Sequence, residues 1–185
     1  MFHRNINYVL TAIVICLGIG SVAMASRAMK KDVVLPEISG VFESKQFQVW
    51  TYECWQGDEG HNNVCGVSQK VTDAQGAFAV RANILLIERE GVMRPRLQVI
   101  VPLGTFLPFG LSMHLAPQEP FTVPFQFCNK EGCFINLDLA EDVILTLKNA
   151  QNLHVSYHRS NREMFSFSIN LSGFSDALSY LIAHS

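Results

Sequence analysis

Four cysteines carry most of the chemistry open to this chain: Cys54, Cys65, Cys128 and Cys133. A fifth, Cys16, lies in an N-terminal apolar run and is expected to leave with it. Residues 1–25 read as a secretory signal peptide. Arg4 gives a positive start, residues 8–19 are mostly apolar, and Ala23-Met24-Ala25 is an A-x-A cleavage site. That run falls short of the ~20 residues needed to cross a bilayer, so no membrane span is expected after cleavage. Bulky Ile15 stands before Cys16, where lipid attachment calls for a small residue. An even cysteine count behind an export signal points to an oxidising compartment and a disulfide framework.

Cys54 and Cys65 bracket a polar, glycine-containing loop, whereas Cys128 and Cys133 bracket Asn129-Lys130-Glu131-Gly132, which reads as a tight hairpin connection. The economical pairing joins Cys54 to Cys65 and Cys128 to Cys133. Four cysteines allow three pairings, and sequence alone does not choose. In the chain-entropy model the first loop contributes about 3 kcal/mol and the second about 2 kcal/mol. Catalytic dithiols favour C-x-x-C beside a βαβ unit, which the Cys128–Cys133 spacing and its β-like surroundings do not match. Cys54 and Cys65 supply no second zinc knuckle, so structural disulfides are expected and no metal site.

The remaining polar residues give no catalytic set. His154 and His158 share a predicted strand about 13 Å apart, too far to hold one ion. His114, between Met113 and Leu115, reads as structural, and His61 as an exposed member of the Cys54–Cys65 loop. Asp138, Glu141 and Asp142 are expected in a solvated turn. There is no G-x-S-x-G elbow, and Ser166 and Ser168 suit the wet face of a strand. The expectation is a protein without enzyme activity or cofactor. Its net charge of −2 and lack of a basic block argue against nucleic acid as a partner.

After cleavage about 160 residues remain, enough for one domain with its own core. Hydrophobic residues make up 49% and charged residues 16%, so an exposed sticky face is expected. Residues 26–44 show little periodicity and read as a flexible lead-in to a domain spanning residues 45–185. Short strand-like runs follow at residues 48–52, 78–88, 96–101, 111–115 and 121–127, with a turn-like segment at residues 90–95. Residues 152–157 and 164–171 look like a hairpin, with Phe165, Phe167, Ile169 and Leu171 alternating against Ser166, Ser168 and Asn170. Residues 141–148 are ambiguous between helix and strand. Phe174, Ala177, Leu178 and Leu181 fall at helical spacing, which predicts a short C-terminal helix. The predicted fold is all-β and mainly antiparallel: a disulfide-braced, immunoglobulin-like β-sandwich.

The segment Val101-Pro102-Leu103-Gly104-Thr105-Phe106-Leu107-Pro108-Phe109-Gly110-Leu111 resembles the signature of the invasion-associated locus B proteins. Trp50 ahead of Cys54, then Phe127-Cys128-Asn129-Lys130-Glu131-Gly132-Cys133, then Leu171-Ser172-Gly173-Phe174-Ser175-Asp176-Ala177-Leu178 fall in the family's order. The resemblance spans residues 47–181. It implies an exported, oxidised bacterial envelope protein with a β-sandwich core and its four cysteines paired. It brings no catalytic residues. Some members are associated with entry into host cells, and many occur in bacteria with no invasive habit. One departure is Phe134-Ile135-Asn136 after Cys133, where the family more often has a small residue.

Within the signature, Pro102 should mark a strand end or edge, and Gly104 and Gly110 can adopt left-handed conformations. The bent, apolar stretch between them is either a plug capping one end of the sandwich or an exposed contact loop. Phe106 and Phe109 are therefore candidate partner contacts, with His61, Arg94 and Lys130 on predicted exposed loops. The function expected is that of a periplasmic, surface-displayed or secreted interaction protein, contacting a host-cell surface or another envelope component. The alternative is a periplasmic accessory for envelope assembly or stress tolerance.

Overall fold

The computed structural model describes residues 39–56 and 63–185. Residues 1–25, expected as a signal peptide, and His61 lie outside the described residues. β1 (Ser39–Phe47), β2 (Trp50–Gln56), β3 (Val64–Thr72), β4 (Phe78–Arg89) and β5 (Val92–Val101) form an antiparallel meander. After β6 (Leu111–His114) and β7 (Phe121–Val123), β8 (Phe127–Asn129) and β9 (Gly132–Asp138) return to this sheet, giving the order β1-β2-β3-β4-β5-β9-β8. Helix α1 (Glu141–Asn149) leads to β10 (Asn152–His158) and β11 (Met164–Asn170), and α2 (Phe174–Ala183) ends the chain. The second sheet has the order β11-β10-β6-β7. The two sheets make the expected sandwich, and the meander of five successive strands builds most of the larger sheet.

Period-two alternation sets the core. Trp50, Tyr52 and Cys54 of β2 are buried, as are Val80, Ala82 and Ile84 of β4, and Leu97, Val99 and Val101 of β5. Leu111 and Met113, Leu153, Val155 and Tyr157, and Ile169 and Leu171 meet them from the smaller sheet. Where that sheet stops, α2 extends the second layer over β1, β2 and β3, burying Phe174, Ala177, Leu178 and Leu181 as its spacing predicts.

Buried Gln69 on β3 stitches the layers together. Its Nε2 donates to the Asn170 carbonyl at 2.8 Å, and its Oε1 accepts from the Asn170 N–H at 2.9 Å. The Trp50 indole donates to the same carbonyl at 3.0 Å. These side chains supply the ladder partners that the end of edge strand β11 otherwise lacks. The next residues hold α2 in place. Gly173 caps the helix at φ 84°, where a Cβ would collide with the Phe47 carbonyl, so the helix start can rest on the β1–β2 turn.

Three local expectations need correction. β1 takes in residues 39–44, expected as lead-in, because its inward side chains are held by α2 from the far end of the chain. The Tyr180 hydroxyl donates to Glu43 at 3.0 Å, and the Lys45 ammonium lies 4.0 Å from the Tyr180 ring centre. β5 starts at Val92 and runs through Pro95. The hairpin turn is confined to Glu90 and Gly91, both at positive φ, and they match the twist of the strands. The Pro95 carbonyl accepts from Leu139, so the proline faces the β9 side just past that strand's last pairing with β5, at Arg96–Asp138. Finally, Asp138 is not in a turn but at the end of β9, paired with Arg96 at 2.6 Å and Arg89 at 3.0 Å. The Arg96 hydrogen bond holds its carboxyl below the usual range. Glu141 and Asp142 open α1, where acidic side chains complement the helix dipole.

Burial raises the phenol pKa of Tyr52, Tyr157 and Tyr180, and the Glu43 carboxylate raises Tyr52 and Tyr180 further. The unfolded chain, with phenols titrating near pH 10, therefore loses these protons first. The stability they contribute is complete below about pH 10 and is lost as pH climbs through the raised folded values. Urea midpoints should stay level up to about pH 10 and fall above it. A level midpoint at higher pH would contradict this.

Candidate interaction surface

Beyond Val101, where Pro102 ends β5 as predicted, the signature segment folds back across one end of the sandwich. Its backbone is clamped from both directions. The Thr105 hydroxyl donates to the Pro102 carbonyl at 2.8 Å, and Thr105 bridges to Arg159 in the β10–β11 turn. The Phe106 N–H donates to the His158 carbonyl at 2.7 Å, and the Ser160 N–H to the Gly104 carbonyl at 2.9 Å. Leu107–Phe109 form one 3-10 turn, closed by the Gly110 N–H donating to Leu107 at 3.0 Å. Gly110, at φ 68°, approaches β7 so closely that a Cβ would lie 2.7 Å from the Val123 carbonyl. The turn is thus pinned before Leu111 enters the core.

Plug and contact turn out to be divided among the residues. Thr105 is buried, Phe106 is half-buried, and Leu111 fills the core. Leu103, Leu107 and Phe109 are 59%, 43% and 49% exposed, and Met164 in the neighbouring hairpin is 61% exposed. Phe109 meets Phe106 edge-on at 4.8 Å and His158 at 4.9 Å. The Arg162 guanidinium stands 5.6 Å from the Phe106 ring centre, and Arg159 stands 4.2 Å from Phe165. The result is a rigid apolar surface edged by two arginines, able to bury apolar area against a partner without first ordering its own backbone.

The sequence-predicted contacts do not form one patch. Lys130, in the exposed β8–β9 turn, lies at the same end as Phe106 and Phe109, because Cys133 pairs with Val101. Arg94, exposed opposite Ile87, lies about 23 Å farther along β5, at the other end of the sheet. Sequence reasoning passed over Leu103, Leu107, Arg159 and Arg162. The apolar pair stands in the quoted signature, but only the fold shows which way each side chain turns.

Both disulfides join directly opposed residues on neighbouring strands: Cys54–Cys65 across β2–β3, and Cys128–Cys133 across β8–β9. The second fastens the three-residue edge strand β8. Phe134, the departure from the family pattern, stacks on Phe127 of that edge strand at 4.6 Å and is buried beneath it. On the outer face of the large sheet, Asn83, Gln98, Asn136 and Gln126 bond to one another in a row at 2.6–3.0 Å. Those amides consume much of their own bonding capacity, and the row lies beside the Arg96–Asp138 ion pair on the same face.

Comparison with known proteins agrees with this anatomy. A structural search finds the crystal structure of invasion associated protein B from Bartonella henselae, with a TM-score of 0.62 and 19% sequence identity. The alignment covers 76% of this chain and 96% of that one. A search of curated proteins gives no match. No described helix is long and apolar enough to cross a membrane. The family model for the invasion associated locus B (IalB) protein matches residues 50–181, taking in both disulfides, the clamped signature turn and most of α2, and the chain belongs to that family.

Proposed function

We propose that this protein is exported and works without catalysis as an interaction protein of the bacterial envelope or its exterior, contributing to association with host cells. The observation that carries this reading is the signature end. Leu103, Leu107 and Phe109 expose apolar side chains on a backbone held by hydrogen bonds from two directions. Leaving three large apolar side chains in water on so constrained a segment suits a surface that meets a partner. Two disulfides suit an oxidising compartment. Arg159 and Arg162 add cations at its edge, complementary to an acidic or anionic partner.

Protease treatment of intact cells, with fractionation and a probe of the medium, tests the location. Digestion from outside, or recovery in the medium, is the expected result. Protection until the outer envelope is opened would replace this reading with a periplasmic accessory that contacts other bacterial proteins.

A further inference from the structure

The solvent face of the four-stranded sheet carries side chains that the signature end does not use. Ser112 and His114 on β6, His154 and Ser156 on β10, and Ser166 and Ser168 on β11 line a shallow cavity of about 310 Å³. Strand register decides which of them meet. His154 stands directly opposite His114 on one flank and Ser168 on the other. The two imidazoles have ring centres 5.9 Å apart and planes 30° from parallel. The Ser168 Oγ lies 2.9 Å from His154 Nδ1. Spacing along the chain suggested His154 and His158 as the pair to weigh, but the sheet brings His114 to His154 from forty residues away.

We propose that His114 and His154 form a two-imidazole site for a divalent late first-row metal ion, Cu(II) foremost, with water completing the coordination. Two metal–nitrogen bonds of about 2.0–2.1 Å, with the offset of each nitrogen from its ring centre, span ring centres up to about 6 Å apart. The observed separation falls within that reach. The Ser168 bond occupies His154 Nδ1 and leaves Nε2 as the ligating nitrogen. An outer partner of this kind fixes ring orientation and raises the loaded site's affinity. Imidazole suits copper, nickel and zinc, and a nitrogen and water ligand set without thiolate favours tetragonal Cu(II), the tightest binder of the series. Among the described residues no third histidine, cysteine or carboxylate joins the pair. The site therefore holds an exchangeable ion at a half-open position, not a structural one.

The test is titration of the purified protein with copper(II) sulfate in a non-coordinating buffer, followed by calorimetry and by electron paramagnetic resonance. One exchangeable ion with two equatorial nitrogens is expected. His114→Asn and His154→Asn should each weaken it by about tenfold or more, because each removes the chelate, and the double variant should lose binding at this site altogether. Ser168→Ala should weaken it several-fold, and His158→Asn and His184→Asn should leave it unchanged. These residues sit on a solvent face, so the metal-free melting temperatures of the variants should match the parent. A single-nitrogen signal would overturn the proposal. So would unchanged affinity in His114→Asn or His154→Asn, or an equal loss in His158→Asn.

Discussion

Replacing Gln69 with leucine should cost about 3 kcal/mol, far more than its modest change in volume suggests. The buried amide serves both backbone groups of Asn170, and leucine would leave that N–H without a partner in the interior. For a domain of this size the loss corresponds to a fall in melting temperature of roughly 6–12 °C. Gln69→Glu should be no better, because a carboxylate can accept from the Asn170 N–H but cannot donate to its carbonyl. Trp50→Phe, which removes one bond to the same carbonyl, should cost about 1 kcal/mol from that bond. The two losses should not add, since both side chains serve one oxygen. A melting temperature unchanged in Gln69→Leu would show that the amide does not hold β11 to β3.

Reduction of the two disulfides should be the larger perturbation. With sequence separations of 11 and 5, the bridges close short loops. The chain-entropy model assigns them about 3 and about 2 kcal/mol. Together this is a large share of the 5–15 kcal/mol that typically holds a domain folded. Thermal scans with and without dithiothreitol should differ by roughly 10–20 °C. Replacing Cys128 and Cys133 with alanine should cost less than replacing Cys54 and Cys65, and should loosen only the short β8 edge. A midpoint indifferent to reductant, or four free thiols after periplasmic expression, would contradict the disulfide framework.

Both effects bear on what could be seen in the sequence. The alternation of Phe165, Phe167, Ile169 and Leu171 gave β11 its faces, and Phe174, Ala177, Leu178 and Leu181 gave α2 its stripe, because each pattern is local. The signature predicted a bend, as either a plug or a contact loop, and Pro102, Gly104 and Gly110 act as their chemistry demands. What stayed hidden is long-range. β1 has no clear pattern because α2, from the other end of the chain, covers its inward side with Tyr180. The partner of Gln69 is a backbone group about a hundred residues away. Arg94 and Lys130 looked equivalent as loop cations, yet the β5–β9 register sends them to opposite ends. Sequence type marked Phe106 and Phe109 alike. Only the clamp on the backbone turns Phe109 outward while half-burying Phe106.

The central claim is that this outward apolar surface does the protein's work. Its most direct test compares bacteria carrying the native protein with bacteria carrying Leu107→Ser together with Phe109→Ser, scored for association with cultured host cells. Both side chains are substantially exposed, so export and disulfide formation should match the parent, and the melting temperature should fall only by the few degrees that the Phe109 contacts with Phe106 and His158 supply. Losing two apolar anchors should cost about 3 kcal/mol of binding, a factor on the order of a hundred in affinity, and association should collapse. Undiminished association by cells that export the folded double variant would contradict the account.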